Sequence, residues 1–176
     1  MKQKLNLGCC RNILQGYVNL DMAHYPGVDV VHNLEKFPYP FKENTFDEIL
    51  ALMILEHLDD LVKTMKELHR ISKPNAIIKI KVPYFSCTSN FIDPTHKRSF
   101  SYYSFDFLIQ GNKYSDFHID TILPRFRIRK RKIIFYSILK PLKIFFNTRF
   151  TARIYSGLFS YILPAGELYF ELEVIK

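Results

Sequence analysis

The sequence predicts an α/β fold with a mostly parallel sheet, and three features of its 176 residues favour this class. Short apolar runs alternate with loops and helical patterns through the first half of the chain, as in a parallel sheet covered by helices. Residues 58–71 have apolar side chains at a spacing of about 3.6, which predicts an amphipathic helix. Residues 125–136 and 167–175 alternate along the chain, which predicts two antiparallel strands whose basic and acidic side chains face each other.

The predicted strands follow one another closely in the first half of the chain. The first two lie within residues 5–21, the third at 28–32, the fourth at 47–52 and the fifth at 76–82. Only residues 8–16 separate the first two strands, whereas parallel neighbours usually need a crossover of about a dozen residues or more. These residues can still span about 30 Å when extended. We therefore expect the helices that follow the first two strands to be reduced.

The connections between the strands carry further local signals. Asp59 or Asp60 is placed to cap the helix, and the sequence LysProAsn predicts a turn before the fifth strand, with Asn75 left-handed. Residues 34–46 contain two prolines and no clean period, so we expect a loop whose aromatic side chains fill the core. Residues 86–96 are expected to form a substrate-facing loop. Residues 104–110 are expected to form a short helix that ends at Gly111.

Composition narrows the possible classes. The length suits one domain covering residues 1–176, and a hydrophobic fraction of 48% argues against a disordered chain. The N-terminus lacks a signal-peptide pattern, so we expect a cytoplasmic protein. Cys9, Cys10 and Cys87 are odd in number and lack paired CxxC spacing. This pattern favours small buried thiols over a disulfide framework or a zinc site.

The positive net charge comes from one segment near the C-terminus. Residues 125–165 hold ten Lys and Arg and no Asp or Glu. Residues 137–166, which overlap this segment, are expected to form an insertion between the last two predicted strands. We expect a peripheral contact through residues 125–153 with an anionic membrane surface or with a phosphate-rich acceptor such as a lipid-linked sugar or RNA. A lid or a dimer face is the alternative, and the sequence leaves the oligomeric state open.

The clearest functional signal is the stretch LNLGCCRNILQGYVNLD, residues 5–21. Gly8 ends the first strand, where glycine lets a ligand approach backbone amides closely. Asp21 ends the second strand, where a carboxylate can hold a ribose diol. The pattern predicts a nucleotide-type cofactor. An NAD-linked oxidoreductase fits poorly, because its fingerprint needs three spaced glycines and an acid about 20 residues further on.

Five motifs occur in the order LNLGCC, GYVNLD, FPYPFKENTFDEI, ILEHL and ISKPNAIIKIKVP. Together they resemble the class I S-adenosylmethionine-dependent methyltransferases, in particular the group called methyltransferase type 11. The resemblance covers residues 5–83. It implies a Rossmann-like, mostly parallel seven-stranded sheet with an antiparallel C-terminal hairpin, and S-adenosyl-L-methionine as the cofactor. The implied activity is methyl transfer to a hydroxyl of a small molecule, a glycan or a membrane-associated acceptor.

The same resemblance implies a set of cofactor-binding residues. Gly8 would lie against the methionine part, Asp21 would accept hydrogen bonds from the ribose hydroxyls, and Asn33 would accept one from the adenine amino group. Leu34 would offer its backbone amide to the ring. Relatives usually have glycine at the position of Cys10, where a positive φ would cost about 1 kcal/mol. The other positions implied in this site are Leu7, Cys9, Met22 and Leu52.

The reacting side of the site is expected beyond the fourth and fifth strands. An EH pair lines the methyl-transfer cavity in relatives, which implies this role for Glu56 and His57. Either His57 or His96 would take a proton from the acceptor hydroxyl, with Asp93 placed to orient His96. The alternatives are that His57 packs against the following helix and that His96 stabilises a turn. The reaction is an in-line displacement that requires no metal ion.

Other residues are expected to complete the site. Without the first helix, the methionine carboxylate would depend more on Arg11 or Lys97. A lid of aromatic side chains would exclude water. A non-catalytic binding or scaffold protein, which keeps the fold and has lost the cofactor, is the alternative to an enzyme. The aromatic residues expected in the lid are Phe85, Phe91, Tyr102 and Tyr103.

Overall fold

Seven strands form one sheet in the computed structural model, which describes residues 3–109, 112 and 124–176. The strand order is β3-β2-β1-β4-β5-β7-β6. The first five strands are parallel, and β7 runs antiparallel to β5 and β6. The predicted fold class is therefore confirmed. The strands are β1 (Lys4–Leu7), β2 (Val18–Asp21), β3 (Val30–Val31), β4 (Phe46–Leu52), β5 (Ser72–Pro83), β6 (Arg125–Ile134) and β7 (Glu167–Ile175).

β1 and β2 pair directly although no helix connects them. Leu7 lies opposite Leu20 in the parallel register. The buried Asn6 side chain donates to the Asn12 carbonyl at 2.8 Å and to Asn19 Oδ1 at 3.0 Å, so a buried amide network holds the short crossover. No helix occurs among the described residues between β1 and β4, which confirms the expected reduction.

Helix α1 (Leu61–Ile71) follows a 3₁₀ turn at Leu55–His57. The Asp60 side chain accepts a hydrogen bond from the Lys63 amide, so Asp60 is the cap that forms. The helix therefore begins three residues later than predicted, and Leu58 is the extended residue that ends the 3₁₀ turn. The buried apolar side chains of α1 are Leu61, Met65, Leu68 and Ile71.

The long loop before β4 packs on α1 through aromatic side chains. Tyr39 is buried, and its ring stacks on Phe37 with 5.3 Å between ring centroids. The Tyr39 amide donates to the Glu67 carboxylate of α1 at 2.7 Å. Phe41 packs edge-on against Phe46 at 4.9 Å. The prediction that aromatic side chains of this loop fill the core is confirmed.

Two strands differ in length from the predictions. β5 begins at Ser72 and includes the LysProAsn sequence that was predicted as a preceding turn. Pairing with β4 shifts there from Phe46–Ser72 to Glu48–Ile77, so this sequence forms an irregularity within the strand. Asn75 has the expected left-handed conformation, with φ of 62°. β3 has two residues rather than the five predicted.

The segment after β5 folds mostly as short turns. Helix α2 (Ser89–Ile92) lies within the predicted loop 86–96. The helix predicted at residues 104–110 is only a 3₁₀ turn at Asp106–Leu108, because the next residue is extended and forms a β-bridge to Phe126. Gly111, the predicted helix end, lies outside the described residues.

β6 and β7 form the predicted antiparallel pair, with basic side chains facing acidic ones. Glu173 accepts from Arg127 at 3.0 Å and from Arg129 at 2.5 Å. Lys130 pairs with Glu171 at 3.2 Å. The predicted pairing of these two strands is therefore confirmed, and β6 ends two residues earlier than predicted.

The insertion between β6 and β7 is built from short helical segments. It contains a 3₁₀ turn at Ser137–Ile144, helix α3 (Arg149–Ile154) and a π-helical turn at Tyr155–Phe159. Ala152 and Tyr155 are fully buried and attach the insertion to the core. Within the described part of the chain, no helix has both the length and the apolar character needed to cross a membrane.

Candidate active site

The carboxyl ends of β1 and β2 are joined through the Asp21 carboxylate. Gly8 and Cys10 in the turn after β1 have φ values of 63° and 48°. The Cys10 amide donates to Asp21 Oδ2 at 2.7 Å, and the Ala23 amide donates to Oδ1 at 3.0 Å. Asp21 is half-buried, and each of its oxygens keeps a second lone pair. The carboxylate can therefore still accept hydrogen bonds from a ribose diol.

The cysteines differ from one another in exposure. Cys10 has a positive φ, so it carries the conformational cost of about 1 kcal/mol that was expected for such a backbone at this position. All three thiols are free; Cys9 is buried, Cys87 is half-buried and Cys10 is exposed. The prediction of buried thiols is therefore wrong for Cys10, because the turn leaves its side chain at the surface.

Gly8 is required by a contact within the chain. A Cβ atom at this position would lie 2.5 Å from Ile54 Cγ1 and 2.7 Å from Ile54 Cδ1. Ile54 follows β4, and Met53 before it has a φ of 56°. The Ile54 side chain thus lies against the turn where the sequence resemblance placed the methionine part of the cofactor. Nothing in the sequence motifs singles out Ile54, because the contact joins two segments that are distant along the chain.

The residues expected at the adenine end follow β2 and β3. Asn33 Oδ1 accepts from the Glu35 amide at 2.9 Å, which forms a local turn and leaves one lone pair on that oxygen. The side chain of Met22 is 70% exposed beside Asp21 and is available to cover an adenine ring. The Leu34 side chain is buried, so only its backbone can face a ligand.

Three further predicted cofactor residues lie at or just beyond the carboxyl ends of β1 and β4. The side chains of Leu7 and Cys9 are buried in the core. The Cys9 amide donates to the Leu20 carbonyl at 3.0 Å and continues the pairing between β1 and β2. Leu52 is half-buried at the end of β4.

Glu56, His57 and His96 meet beyond the carboxyl ends of β4 and β5. One nitrogen from each histidine and one Glu56 carboxylate oxygen lie within 4.8 Å of one another. The two imidazole rings are edge-to-face, with 4.7 Å between centroids. Glu56 is fully buried, and neither of its carboxylate oxygens has a hydrogen-bond partner among the described residues. The structure therefore brings both predicted bases and the adjacent acid into one cluster.

Hydrogen bonds set the orientation of both imidazole rings. Thr95 Oγ1 donates to Asp93 Oδ1 at 2.7 Å, so it accepts from His57 Nδ1, which lies 2.9 Å away. His96 Nδ1 donates to the Asn90 carbonyl at 3.1 Å. Asp93 thus acts on His57 through Thr95, whereas the sequence analysis expected it to orient His96. Neither Thr95 nor Asn90 stands out in the sequence, because their roles depend on how the loop folds.

Burial changes the proton affinity of the cluster. Loss of solvation raises the pKa of Glu56 to about 7, and the neighbouring His96 opposes this rise. Loss of solvation, followed by the charge of His96, lowers the pKa of His57. At neutral pH His57 is therefore an uncharged imidazole with its proton on Nδ1 and a lone pair on Nε2.

The two cations expected for the methionine carboxylate are placed differently. Lys97 Nζ pairs with Asp59 Oδ1 at 2.8 Å and with Glu35 Oε1 at 3.4 Å, so its charge is already shared by two acids. The Arg11 guanidinium lies 5.5 Å from the centroid of the Tyr25 ring on the surface. Of these two cations, Arg11 is the better placed for an anionic ligand.

The aromatic residues expected in the lid do not form one group. The guanidinium carbon of Arg131 lies 4.5 Å from the Tyr102 ring centroid and 5.9 Å from that of Tyr103, so both rings pack against β6. Phe91 is exposed on α2, and Phe85 packs edge-on against Tyr161. Of these four residues, only Phe91 lies within residues 86–96, the segment predicted to face the substrate.

A cavity of about 250 Å³ lies at the opposite edge of the sheet. It is formed by the amino ends of three parallel strands. Ligands of open α/β sheets bind beyond the carboxyl ends of the strands, so this cavity is not the expected cofactor site. Its lining consists of Lys4, Asp47, Glu48 and residues 74–77.

Comparison with known proteins identifies the domain. The family model described as "Methyltransferase domain" matches residues 10–80. A S-adenosylmethionine-dependent methyltransferase from Archaeoglobus fulgidus has a similar structure, with a TM-score of 0.60 and 15% sequence identity over 98% of this chain and 86% of that chain. The chain has the fold of class I methyltransferases, and residues 10–80 match the methyltransferase domain. This family match supports S-adenosylmethionine as the cofactor.

Other relatives of the methyltransferase domain differ in their named reactions. A S-adenosylmethionine-dependent methyltransferase from Mesorhizobium loti has a TM-score of 0.52 at 11% identity and covers 97% of this chain and 90% of that chain. The [4+2]-cyclase SpnF has a TM-score of 0.56 at 12% identity and covers 99% of this chain and 74% of that chain. At such identities, these structures show the fold alone.

A curated human protein matches part of the methyltransferase domain. Arginine-hydroxylase NDUFAF5, mitochondrial, from Homo sapiens is 29% identical over 91 residues, which cover 42% of this chain and 26% of that protein. The chain therefore spans about a quarter of the length of this relative. The relatives carry different reaction names, so the shared fold does not determine the reaction of this chain.

Proposed function

We propose that this methyltransferase domain transfers a methyl group from S-adenosylmethionine to a hydroxyl group of its acceptor. The supporting observation is that the two halves of the candidate site lie at one edge of the sheet. Asp21 is tied to the turn after β1, and the cluster of Glu56, His57 and His96 follows β4 and β5. The contact of Ile54 on Gly8 links these two halves.

The chain's main task in this reaction is positioning. S-adenosylmethionine supplies a methyl group on a sulfonium, which is transferred by in-line displacement. Asp21 would accept hydrogen bonds from the ribose diol through the lone pairs that the Cys10 and Ala23 amides leave available. The exposed side chain of Met22 would cover the adenine ring, and Asn33 would accept a hydrogen bond from its amino group.

The acceptor hydroxyl faces the two histidines. Both rings are half-buried, whereas Glu56 is fully buried, so the imidazoles form the accessible side of the cluster. Thr95 and the Asn90 carbonyl hold the Nδ1 protons, so each ring can present the Nε2 lone pair toward the acceptor. This arrangement suits a hydroxyl of a small molecule, a glycan or a membrane-associated acceptor, which must lose a proton as its oxygen attacks.

A non-catalytic binding protein with the same fold is the second candidate. Two observations favour it. Both Asp21 oxygens already accept a backbone hydrogen bond, and Ile54 lies against the turn at Gly8. Cofactor binding separates the two candidates, because only the enzyme must hold S-adenosylmethionine.

We expect S-adenosylhomocysteine to bind the purified full chain in isothermal titration calorimetry. Replacing Asp21 with Ala should weaken binding by about 10- to 100-fold, because a hydrogen bond to a charged group contributes about 1.5–3 kcal/mol. Asp21→Asn keeps one acceptor oxygen and should give an intermediate affinity. Glu43→Ala, which removes an exposed acid in the loop before β4, is the control. No heat from the wild-type chain at millimolar ligand would favour the non-catalytic candidate.

We also propose that the insertion between β6 and β7 binds an anionic membrane surface. Lys140 and Arg153 of the insertion are exposed together with several of its large apolar side chains, and residues 125–165 contain no Asp or Glu. Exposed apolar groups beside cations match the interface of an anionic bilayer. The insertion surface consists of Lys140, Arg153 and the exposed apolar side chains Ile144, Phe145, Phe150, Leu158, Tyr161 and Ile162.

Co-sedimentation with lipid vesicles tests the insertion surface. The chain should bind vesicles that contain phosphatidylglycerol and should bind pure phosphatidylcholine vesicles at least fivefold more weakly, since each cation near an anionic surface contributes about 1 kcal/mol. Phe150→Ser should reduce binding to the anionic vesicles, whereas Phe91→Ser should not. Phe91 is the matched control, because both side chains are 73% exposed. Equal binding by the two variants would contradict the proposal, and a dimer lost in Phe150→Ser would favour a dimer face.

A further inference from the structure

We propose that Glu56, His57 and His96 bind one divalent transition-metal ion. This inference goes beyond methyl transfer, because the site can bind its ion without cofactor or acceptor. Within the described residues, these three side chains form the group whose ligand atoms lie close enough together to hold a metal, within 4.8 Å of one another. No metal site was predicted from the sequence, because His96 is 39 residues from His57 and no spacing motif connects them.

The Glu56 carboxyl group is the first observation that points to a ligand. Its side chain is fully buried, yet neither oxygen has a hydrogen-bond partner among the residues that the structure describes. A buried carboxyl group without a hydrogen bond is unfavourable and calls for a compensating partner. The nitrogens of His57 and His96 approach one of these oxygens without hydrogen-bonding to it. A cation between the three groups would supply the missing partner.

The two histidines are oriented as metal ligands usually are. A ligating imidazole donates its other N–H to a carbonyl, a carboxylate or a similar acceptor, which fixes the ring and its tautomer. His96 Nδ1 donates to the Asn90 carbonyl at 3.1 Å, and His57 Nδ1 donates to Thr95 Oγ1 at 2.9 Å. Thr95 in turn donates to Asp93 Oδ1 at 2.7 Å. Each ring therefore has Nε2 as the nitrogen with a lone pair for a metal.

The ligand atoms are near the spacing of a metal site and reach it after a modest closure. Nitrogen and oxygen ligands lie about 2.0–2.2 Å from Zn²⁺, so two ligands of one tetrahedral ion are about 3.3–3.6 Å apart. The ligand atoms of the cluster lie within 4.8 Å of one another, so the widest pair has to close by at most about 1.2–1.5 Å. His96 lies in the loop between α2 and the Tyr84–Phe100 bridge, and Glu56 is held against that loop by the bond from the Lys97 amide to the Glu56 carbonyl.

The ligand set indicates the class of ion. Two imidazoles and one carboxylate suit Zn²⁺ and neighbouring first-row metals, whereas Mg²⁺ and Ca²⁺ prefer oxygen ligands. Three protein ligands also leave a coordination position for water or for another ligand. If the proposed methyl transfer holds, that position would accept the acceptor hydroxyl and lower its pKa, and the hydroxyl proton would pass to solvent water as the oxygen attacks the methyl group. The ion would then replace a free imidazole base.

Metal binding is tested on the untagged full chain after treatment with a chelator. Zn²⁺ is titrated in competition with a chromophoric chelator, and Co²⁺ is added to a second sample to record its visible absorption. We expect one Zn²⁺ per chain and a Co²⁺ spectrum typical of nitrogen and oxygen ligands. Glu56→Gln and His96→Gln should each weaken Zn²⁺ binding at least about 100-fold, and Thr95→Val about 10-fold. His24→Gln, which removes an exposed histidine outside the cluster, should leave the affinity unchanged.

Each outcome supports or overturns the proposal. Absence of bound Zn²⁺, or equal affinity in His96→Gln and His24→Gln, would overturn it. Zn²⁺ bound only through the exposed Cys10 thiol would survive both cluster substitutions and would also overturn it. His96 lies on a loop, so its substitution remains informative if Glu56→Gln fails to fold. S-adenosylhomocysteine binding of the same samples, measured separately, reports on the proposed methyltransferase function.

Discussion

Replacing Asp106 with Ala is expected to lower the free energy of unfolding by about 3–5 kcal/mol, because it leaves a buried charge without its partner. Asp106 and Arg131 form an ion pair whose side chains are only 9% and 11% exposed. The guanidinium carbon of Arg131 lies 4.5 Å from the Tyr102 ring centroid and 5.6 Å from that of Phe170. The aromatic rings pack around the cation but cannot replace the carboxylate. Urea unfolding followed by circular dichroism measures the loss.

A solvent-exposed ion pair on the same strand provides the control. Lys130 and Glu171 are 43% and 23% exposed, so Glu171→Ala should change the free energy of unfolding by only about 0–1 kcal/mol. Replacing both buried partners, as Asp106→Leu with Arg131→Met, should cost less than Asp106→Ala alone, since no charge is left unpaired. Equal losses in Asp106→Ala and Glu171→Ala would contradict the assignment of a buried pair.

The Asp106–Arg131 pair illustrates what the sequence could not predict. The alternating sequence pattern predicted β6 and placed its basic side chains opposite the acidic side chains of β7. This was possible because successive side chains of a strand point to opposite faces of the sheet. Arg131 belongs to the same basic run, but its partner comes from a 3₁₀ turn 25 residues earlier. That turn was predicted as a helix, because its extension into a bridge with β6 depends on long-range packing. Local periodicity therefore predicted the strands of the sheet more accurately than it predicted the turns that pack on the sheet.

The candidate site also contains residues with local sequence signals and residues without them. The turn at Gly8 and the strand-ending carboxylate of Asp21 could be predicted, because both have local chemical signatures, and their role toward a cofactor stays a prediction. The contacts of Thr95 with His57 and of the Asn90 carbonyl with His96 could not be predicted, because they exist only when the loop after β5 has folded. Local sequence reasoning thus misses the residues that orient the two histidines.

Replacing Gly8 with Ala is expected to lower the free energy of unfolding by about 2–5 kcal/mol. A left-handed conformation costs an L residue about 1–2 kcal/mol, and overpacking adds about 1–3 kcal/mol. Gly8 has a φ of 63°, and its Cβ would lie 2.5 Å from Ile54 Cγ1. Gly16 has a φ of 80° with nothing within 4 Å of its Cβ position, so Gly16→Ala carries only the conformational cost. The difference between the two variants in urea unfolding measures the Ile54 contact.

The double variant Gly8→Ala with Ile54→Ala separates stability from cofactor binding. Removing the Ile54 side chain should relieve the overpacking, whereas the free-energy cost of a left-handed backbone for Ala at position 8 remains. The effects of the two substitutions on the free energy of unfolding should therefore be strongly non-additive. If the absence of a side chain at Gly8 also leaves room for the cofactor, the double variant should fold and still bind S-adenosylhomocysteine more weakly than Ile54→Ala alone. Equal affinity in these two variants would show that Gly8 serves the fold rather than the ligand. Additive losses in unfolding free energy would instead contradict the contact with Ile54.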